Sequence, residues 1–183
     1  MGSRLRNLYI STMPARMAPK NPNKMFFQAL TGEDELGVVI RAHVHIEAAL
    51  TELVEARVPF PDRLPRLNYE KRLQLACALG LKVEHFASLQ FLANLRNQFA
   101  HRLDAGLTGA AVNKLWSKIT PDNQKLVLRA LEMTLQKRNE SLPAEFAILD
   151  PKARFVLISV VLKQLLDKAV QEAKDDNQQG QQP

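Results

Sequence analysis

The sequence predicts an all-α protein, a single-domain bundle of about five to six helices. In several long stretches, apolar residues recur every three or four positions, the spacing that places them on one face of a helix. The composition agrees: the chain of 183 residues is 46% hydrophobic and has only seven glycines, as expected for a folded domain with its own core. We predict a flexible basic arm over residues 1–24, a helical domain over 25–174 and a disordered polar tail over 175–183.

The N-terminal arm mixes Arg, Pro, Lys and Asn without a helical period. It contains no acid and holds five cations, so it carries five of the six net positive charges of the chain. The folded part is then nearly neutral, which argues against a broad nucleic-acid-binding face. Because Met13 and Met17 lie inside the arm, translation could start at Met1, Met13 or Met17.

Helix one is predicted from Glu33 to Arg57, where the three-four spacing of apolar residues continues over several turns. Thr31 is its expected N-cap, and Asp34 places a negative charge in the first turn. His43 and Glu47 are four residues apart at the edge of the apolar face. They are therefore close enough for a charge-assisted hydrogen bond.

Three prolines between residues 59 and 65 end helix one and stiffen the loop after it. Helix two is predicted from Tyr69 to Leu79, capped by Asn68 and ended by Gly80. Its Cys77, the only cysteine, is expected to be a buried small apolar residue and cannot form an intrachain disulfide.

Four cations of this loop and of the outer face of helix two form a candidate nucleic-acid-binding patch. They would lie together if the loop folds back on the helix: Arg63, Arg66, Lys71 and Arg72. The alternative is that the loop arginines are only solvated.

Helix three is predicted from Val83 to Leu103 and carries the most informative pattern of the chain. Its polar side chains lie over an arc of about 140° beside or opposite the apolar stripe, facing solvent, a groove or a partner subunit. The apolar stripe consists of Leu92, Leu95, Phe99 and Leu103, and the polar set consists of Arg96, Asn97 and His101.

The polar set has the residue types that metal-free RNA cleavage needs. A guanidinium stabilises charge that develops on a phosphate, and an imidazole moves a proton near neutral pH. Arg96, Asn97 and His101 would then be catalytic, with Glu47 as a supporting residue that approaches Arg96. The alternative is that Arg96 and His101 are an exposed pair on a packing helix and that Glu47 pairs with His43.

The remaining helices are predicted from caps and prolines. Trp116 is interpreted as a core or interface anchor. The first half of the last helix is apolar nearly all round, so it should be buried centrally or pair with another chain. The predicted elements are helix four over 109–119 with cap Thr108, helix five over 121–137 with cap Thr120, a loop over 142–149, and the last helix over 151–174.

Several classes of function find no support in the sequence. No segment is long and apolar enough to span a membrane, and the N-terminus lacks the apolar core of a signal peptide, so we expect a cytoplasmic protein. Gly-rich phosphate loops and metal-ligand spacings are missing, so no cofactor or metal is expected. Helix three is too apolar to lie in a DNA major groove, and we do not expect direct DNA binding.

Helix three contains a motif that resembles the signature of a known family. Its segment RNQFAH resembles the R-N-x-x-x-H signature of the HEPN superfamily of helical domains, some of which are ribonucleases while others are inactive binding or regulatory modules. A wider set of blocks within residues 33–103 is similar to the mannitol operon repressor family of bacterial regulators: Asp34 to Val54, Tyr69 to Leu81 and Phe91 to His101.

The resemblance implies an HEPN-like fold and leaves three hypotheses. The first is a regulatory module that acts through contacts with a partner protein. The second is a metal-independent endoribonuclease, toxin-like or defence-like, whose partner is RNA. The third is a structural helical dimer. A homodimer is expected because the polar set can meet its symmetry mate across a twofold axis.

Overall fold

A computed structural model describes residues 22–102, 105–138 and 145–179. Within these ranges all regular structure is helical, which confirms the predicted all-α bundle. Short 3-10 turns occur at Pro61–Arg63, Val83–His85 and Phe146–Ile148. The α-helices of the described residues are α1 (Pro22–Thr31), α2 (Glu35–Arg57), α3 (Tyr69–Ala78), α4 (Phe86–His101), α5 (Gly109–Trp116), α6 (Pro121–Arg138) and α7 (Pro151–Gln179).

The two longest helices, α2 and α7, lie side by side and run in the same direction. At their starts, Lys152 donates a hydrogen bond to the carbonyl oxygen of Glu33, and at their ends Arg57 pairs with Asp176 at 2.7 Å. Every residue from Arg154 to Leu162 is buried, because α1, α2, α5 and α6 all pack against α7. The prediction that this half of the last helix is buried centrally is therefore confirmed.

Helices α3 and α4 pack against α2. The predicted inner face of α4 is confirmed, since Leu92, Leu95 and Phe99 are buried, while Leu103 lies outside the described residues. Just after α4, the backbone N–H of Leu107 donates to Glu35 at the start of α2, at 2.8 Å. The end of α4 thus lies beside the beginning of α2, and the two helices are antiparallel.

The start of α2 differs from the prediction. Asp34, not Thr31, is the N-cap, and its carboxylate accepts a hydrogen bond from the backbone N–H of Gly37 at 2.6 Å. Thr31 is the last residue of α1, a helix that the sequence analysis did not foresee because its first residues look like part of the arm. Helix α1 is held by Phe26 and Leu30, both buried.

The end of α7 also differs, because the helix continues to Gln179 rather than ending at Lys174. Its polar last turns are held by contacts with the end of α2, which no period in the sequence reveals. Besides the Arg57–Asp176 pair, Lys174 bonds Glu52 at 2.6 Å, and the amide of Asn177 donates to the carbonyl oxygen of Ala56 at 2.6 Å.

Three predicted N-caps are confirmed. The side chains of Asn68, Thr108 and Thr120 accept hydrogen bonds from the backbone at the starts of α3, α5 and α6.

Gly80 follows α3 with φ +108°, a left-handed conformation that glycine adopts without strain. Cys77 is partly exposed rather than buried. The predicted third helix begins as the 3-10 turn Val83–His85 before α4.

Trp116 stacks on Phe146 with ring centroids 4.3 Å apart. It therefore anchors α5 to the 3-10 turn that precedes α7, in agreement with the predicted role of a core anchor. Among the described helices, none combines the length and apolar character that crossing a membrane requires.

Candidate functional site

The predicted polar set lies on the outer side of α4. Arg96 is half-buried, whereas Asn97 and His101 are exposed. The Arg96 guanidinium donates from Nη1 to Oδ1 of Asn97 at 3.1 Å. Within the described residues no hydrogen bond joins His101 to Arg96 or Asn97. The structure thus orients the guanidinium through the amide and leaves the imidazole apart.

A buried histidine lies near Arg96. His43 of α2 is only 5% exposed, and its ring packs on Tyr69 of α3 with centroids 4.6 Å apart. Burial lowers the pKa of His43, the positive charge of Arg96 lowers it further, and the negative charge of Glu47 opposes both effects. The sequence pattern placed His43 at the edge of the core but did not connect it with Arg96, since nothing local links α2 to α4.

Glu47 does not bond Arg96, contrary to the expectation for a supporting residue. Its carboxylate accepts a hydrogen bond from Nη1 of Arg72 at 2.7 Å and lies 3.8 Å from Nδ1 of His43. Glu47 thus lies near His43, as in the alternative, but at 3.8 Å the predicted charge-assisted hydrogen bond is not formed, and Arg72 is its hydrogen-bond partner. The reason is that α3 packs on α2 and brings Arg72 to Glu47, while Arg96 bonds its own neighbour Asn97.

The candidate nucleic-acid-binding patch is only partly assembled. Arg72 does not face outward as predicted, because its side chain is 17% exposed and also donates to the carbonyl oxygen of Leu67. Arg66 and Arg72 line one cavity of about 230 Å³. Arg63 and Lys71 are exposed and do not line it; Arg63 instead lies over the ring of Phe60 at 5.5 Å.

Three apolar residues of α2 form a strip on the surface of the helix, next to Glu47. Leu36, Ile40 and Val44 follow one another at four-residue steps, so they form one line on the helix surface, and Glu47 continues that line. Leu36 is 49% exposed and Val44 is 55% exposed. We call these three residues the α2 strip. Helical spacing alone does not show which apolar residues of helix one remain uncovered.

Neither metal ligands nor relatives add to this description. Across the described ranges, no cluster of three or more His, Cys, Asp and Glu side chains could hold a metal ion. No protein-family model, curated protein or solved structure matches the chain.

Proposed function

We propose that the protein is a helical regulatory module, resembling mannitol operon repressor proteins, that acts in transcriptional regulation by binding another protein. The observation that carries this proposal is the position of the polar set. Arg96, Asn97 and His101 lie on the outside of the bundle, and they line none of three cavities of about 160 to 230 Å³ among the described residues. Such an arrangement suits contact with a macromolecule better than enclosure of a small substrate.

The state of Arg96 supports a binding role. Arginine is among the residues that contribute most to protein interfaces, and ordering its long side chain normally opposes binding. Here the hydrogen bond to Asn97 already restricts the guanidinium before a partner arrives. Arg96 therefore loses less side-chain entropy on binding a partner than an unrestrained arginine would.

The α2 strip is a second candidate interaction surface, distinct from the polar set. Exposed apolar residues bordered by polar side chains are typical of interaction sites. Val44 is three residues from Glu47, and Glu47 contacts both His43 and Arg72. The apolar strip thus ends at the carboxylate that pairs with Arg72.

We propose that the chain forms a homodimer in which a second copy covers the α2 strip, rather than one in which the polar set meets its symmetry mate, as the sequence predicted. A twofold axis across α2 would bury Leu36, Ile40 and Val44 against their symmetry mates. Sedimentation equilibrium of the parent should report a dimer at micromolar concentration. Val44→Glu should shift it to monomer, whereas Leu128→Glu, on an exposed residue of α6, should leave the dimer intact. A monomeric parent would refute the dimer.

The regulatory role is tested in cells. Tagged parent, the triple variant Arg96→Ala/Asn97→Ala/His101→Ala and the control Lys125→Ala would be purified gently and their bound proteins quantified. Lys125 is a suitable control because it is exposed on α6 and forms a salt bridge with the exposed Asp122. A protein retained by parent and control but lost from the triple variant, together with a changed transcript profile, is the expected result. Identical sets of bound proteins in all three samples would contradict the proposal.

A metal-independent endoribonuclease is the second candidate, favoured by one specific observation. The Arg96 guanidinium is held in place by Asn97, as a group that stabilises phosphate charge should be. His101 lies about one and a half turns further along α4 and is exposed. Because Arg96 and His101 are not bonded to each other, RNA itself or a second copy of the chain would have to bring them together.

The two candidates are separated by a cleavage assay. Parent, Arg96→Ala and His101→Ala would each be incubated with a mixed RNA pool in the presence of EDTA. Cleavage by the parent that disappears in both variants would establish the ribonuclease. RNA that stays intact with the parent would leave the binding module as the function.

A further inference from the structure

The surface formed by α4 and α5 has an unusual charge pattern. Between Phe86 and Arg102, and again between residues 105 and 121, the sequence contains no aspartate or glutamate. The same two stretches contain Arg96, Arg102, Lys114 and Lys118. The near-neutral charge of the folded part is thus unevenly distributed along the chain, and helices α4 and α5 have no acids of their own.

The two lysines of α5 are held at a defined place. Nζ of Lys114 lies 5.8 Å and Nζ of Lys118 lies 6.0 Å from the centroid of the Phe91 ring on α4. A ring attracts ammonium groups through its quadrupole. Phe91 therefore gathers two positive charges at the junction of α4 and α5.

These lysines differ from several others in the way their charge is compensated. Lys163, Lys168 and Lys174 each form a salt bridge with an acid of α7 or α2. Within the described residues, Lys114 and Lys118 form no salt bridge. Their charge is thus available to a partner.

Polar side chains continue the surface along α4. Gln90, Asn94, Asn97 and His101 are separated by four, three and four residues, so they lie in one line. The Gln90 amide donates to Asn94 at 3.4 Å, and Asn94 is exposed. Side-chain amides in such a line can donate hydrogen bonds to carboxylates.

We propose that this surface, comprising Gln90, Phe91, Asn94, His101, Lys114 and Lys118, docks an acidic segment of a partner protein. The inference rests on the proposed function and names the chemistry of the partner. The argument is charge complementarity: two helices without acids of their own, with two gathered ammonium groups and a line of amides, fit a chain that brings carboxylates.

Other occupants fit this surface less well. A second copy docked here would place cations opposite cations, and the N-terminal arm is itself basic. Single-stranded nucleic acid is usually bound by stacking bases on aromatic rings, whereas the ring of Phe91 is already approached by two ammonium groups. A dimer would use the α2 strip instead, so both surfaces can be occupied at once.

The test compares an acidic peptide with an oligonucleotide. Labelled poly-L-glutamate and oligouridylate, each about 20 units long to match one side of an interface, would be titrated with the full-length protein and followed by fluorescence anisotropy. Lys114→Gln/Lys118→Gln is the test variant. Lys125→Gln/Lys168→Gln is the matched control, since it removes the same charge from side chains that are each 76% exposed.

We expect the test variant to lose about fivefold in affinity for the peptide, as two exposed charge pairs would give, and the control to stay within about twofold of the parent. Equal losses in both variants, tighter binding of the oligouridylate, or no peptide binding by the parent would each overturn the inference. The proposed function is judged separately by co-purification with the Arg96/Asn97/His101 variant, so a failure of the inference can be told apart from a failure of the proposed function. Unfolding midpoints of both variants show whether the fold is intact.

Discussion

The first half of α7 and the outer side of α4 are both parts of one helical bundle, but they are determined by different physics. In α7, every side chain from Arg154 to Leu162 is buried, and neighbouring helices surround it. On the outer side of α4, Asn97 and His101 are exposed and make few contacts. The buried segment can change little without loss of the fold, whereas the exposed one is free to serve binding. Substitutions in the first half of α7 should therefore lower the free energy of unfolding, whereas substitutions on the outer side of α4 should weaken partner binding and leave stability nearly unchanged.

The largest effect on stability should come from Phe155→Ala. Phe155 is fully buried in α7, and removal of a buried phenyl ring typically costs about 3–5 kcal/mol through lost burial and the cavity left behind. Urea denaturation followed by circular dichroism would measure this loss. A loss below about 1 kcal/mol would show that α7 is not the centre of the core.

An intermediate effect is expected for Arg72→Ala, which removes the partner of Glu47. The pair is half-buried and linked by a 2.7 Å hydrogen bond, and a charge-assisted bond of this kind is worth about 1.5–3 kcal/mol. Lys71→Ala, on the exposed adjacent residue, is the matched control and should change the free energy of unfolding by less than about 0.5 kcal/mol. Equal changes in the free energy of unfolding for the two variants would show that Arg72 contributes no more to stability than the exposed Lys71.

A smaller effect should appear as a dependence of stability on pH. Burial and the charge of Arg96 lower the pKa of His43 below its ordinary value of 6.5. The unfolded chain then takes up a proton more readily than the folded one, so the free energy of unfolding decreases as pH falls below about 6.5. In His43→Gln this decrease should be shallower, as urea denaturation at a series of pH values would show. An unchanged pH dependence in the variant would contradict a lowered pKa of His43 in the folded protein.

The smallest effect on stability should come from His101→Ala. The side chain is exposed, so the free energy of unfolding should change by less than about 0.5 kcal/mol. Partner binding should nevertheless weaken in the co-purification assay. If the variant instead unfolds easily, His101 has a structural role and the contrast between the two regions fails.

The architecture was largely predictable because it follows from local signals. Helical spacing identified the inner face of α4, and Asn68, Thr108 and Thr120 were recognisable as caps. The missed features depend on contacts between distant parts of the chain. Helix α1 and the last turns of α7 look polar or irregular locally. Helix α1 is stabilised by the buried side chain of Phe26, and the last turns of α7 are stabilised by the Arg57–Asp176 pair.

The candidate site was predictable in its residues but not in its connections. The spacing of Arg96, Asn97 and His101 placed them on the outer side of one helix. It could not show that Glu47 would bond Arg72 or that Lys114 and Lys118 would meet over Phe91. These contacts join different helices, and periodicity within one helix contains no information about which helices become neighbours.

The pairing of α2 with α7 has a consequence for how the protein is made. The contacts that tie the two helices together, such as Arg57 to Asp176, join residues 119 positions apart in the chain. While the ribosome is still synthesising the middle of the protein, α2 has no α7 to cover it. Long-range closure of this kind is slow and leaves apolar surface exposed in the meantime. The nascent chain is therefore expected to depend on chaperones until its last helix emerges.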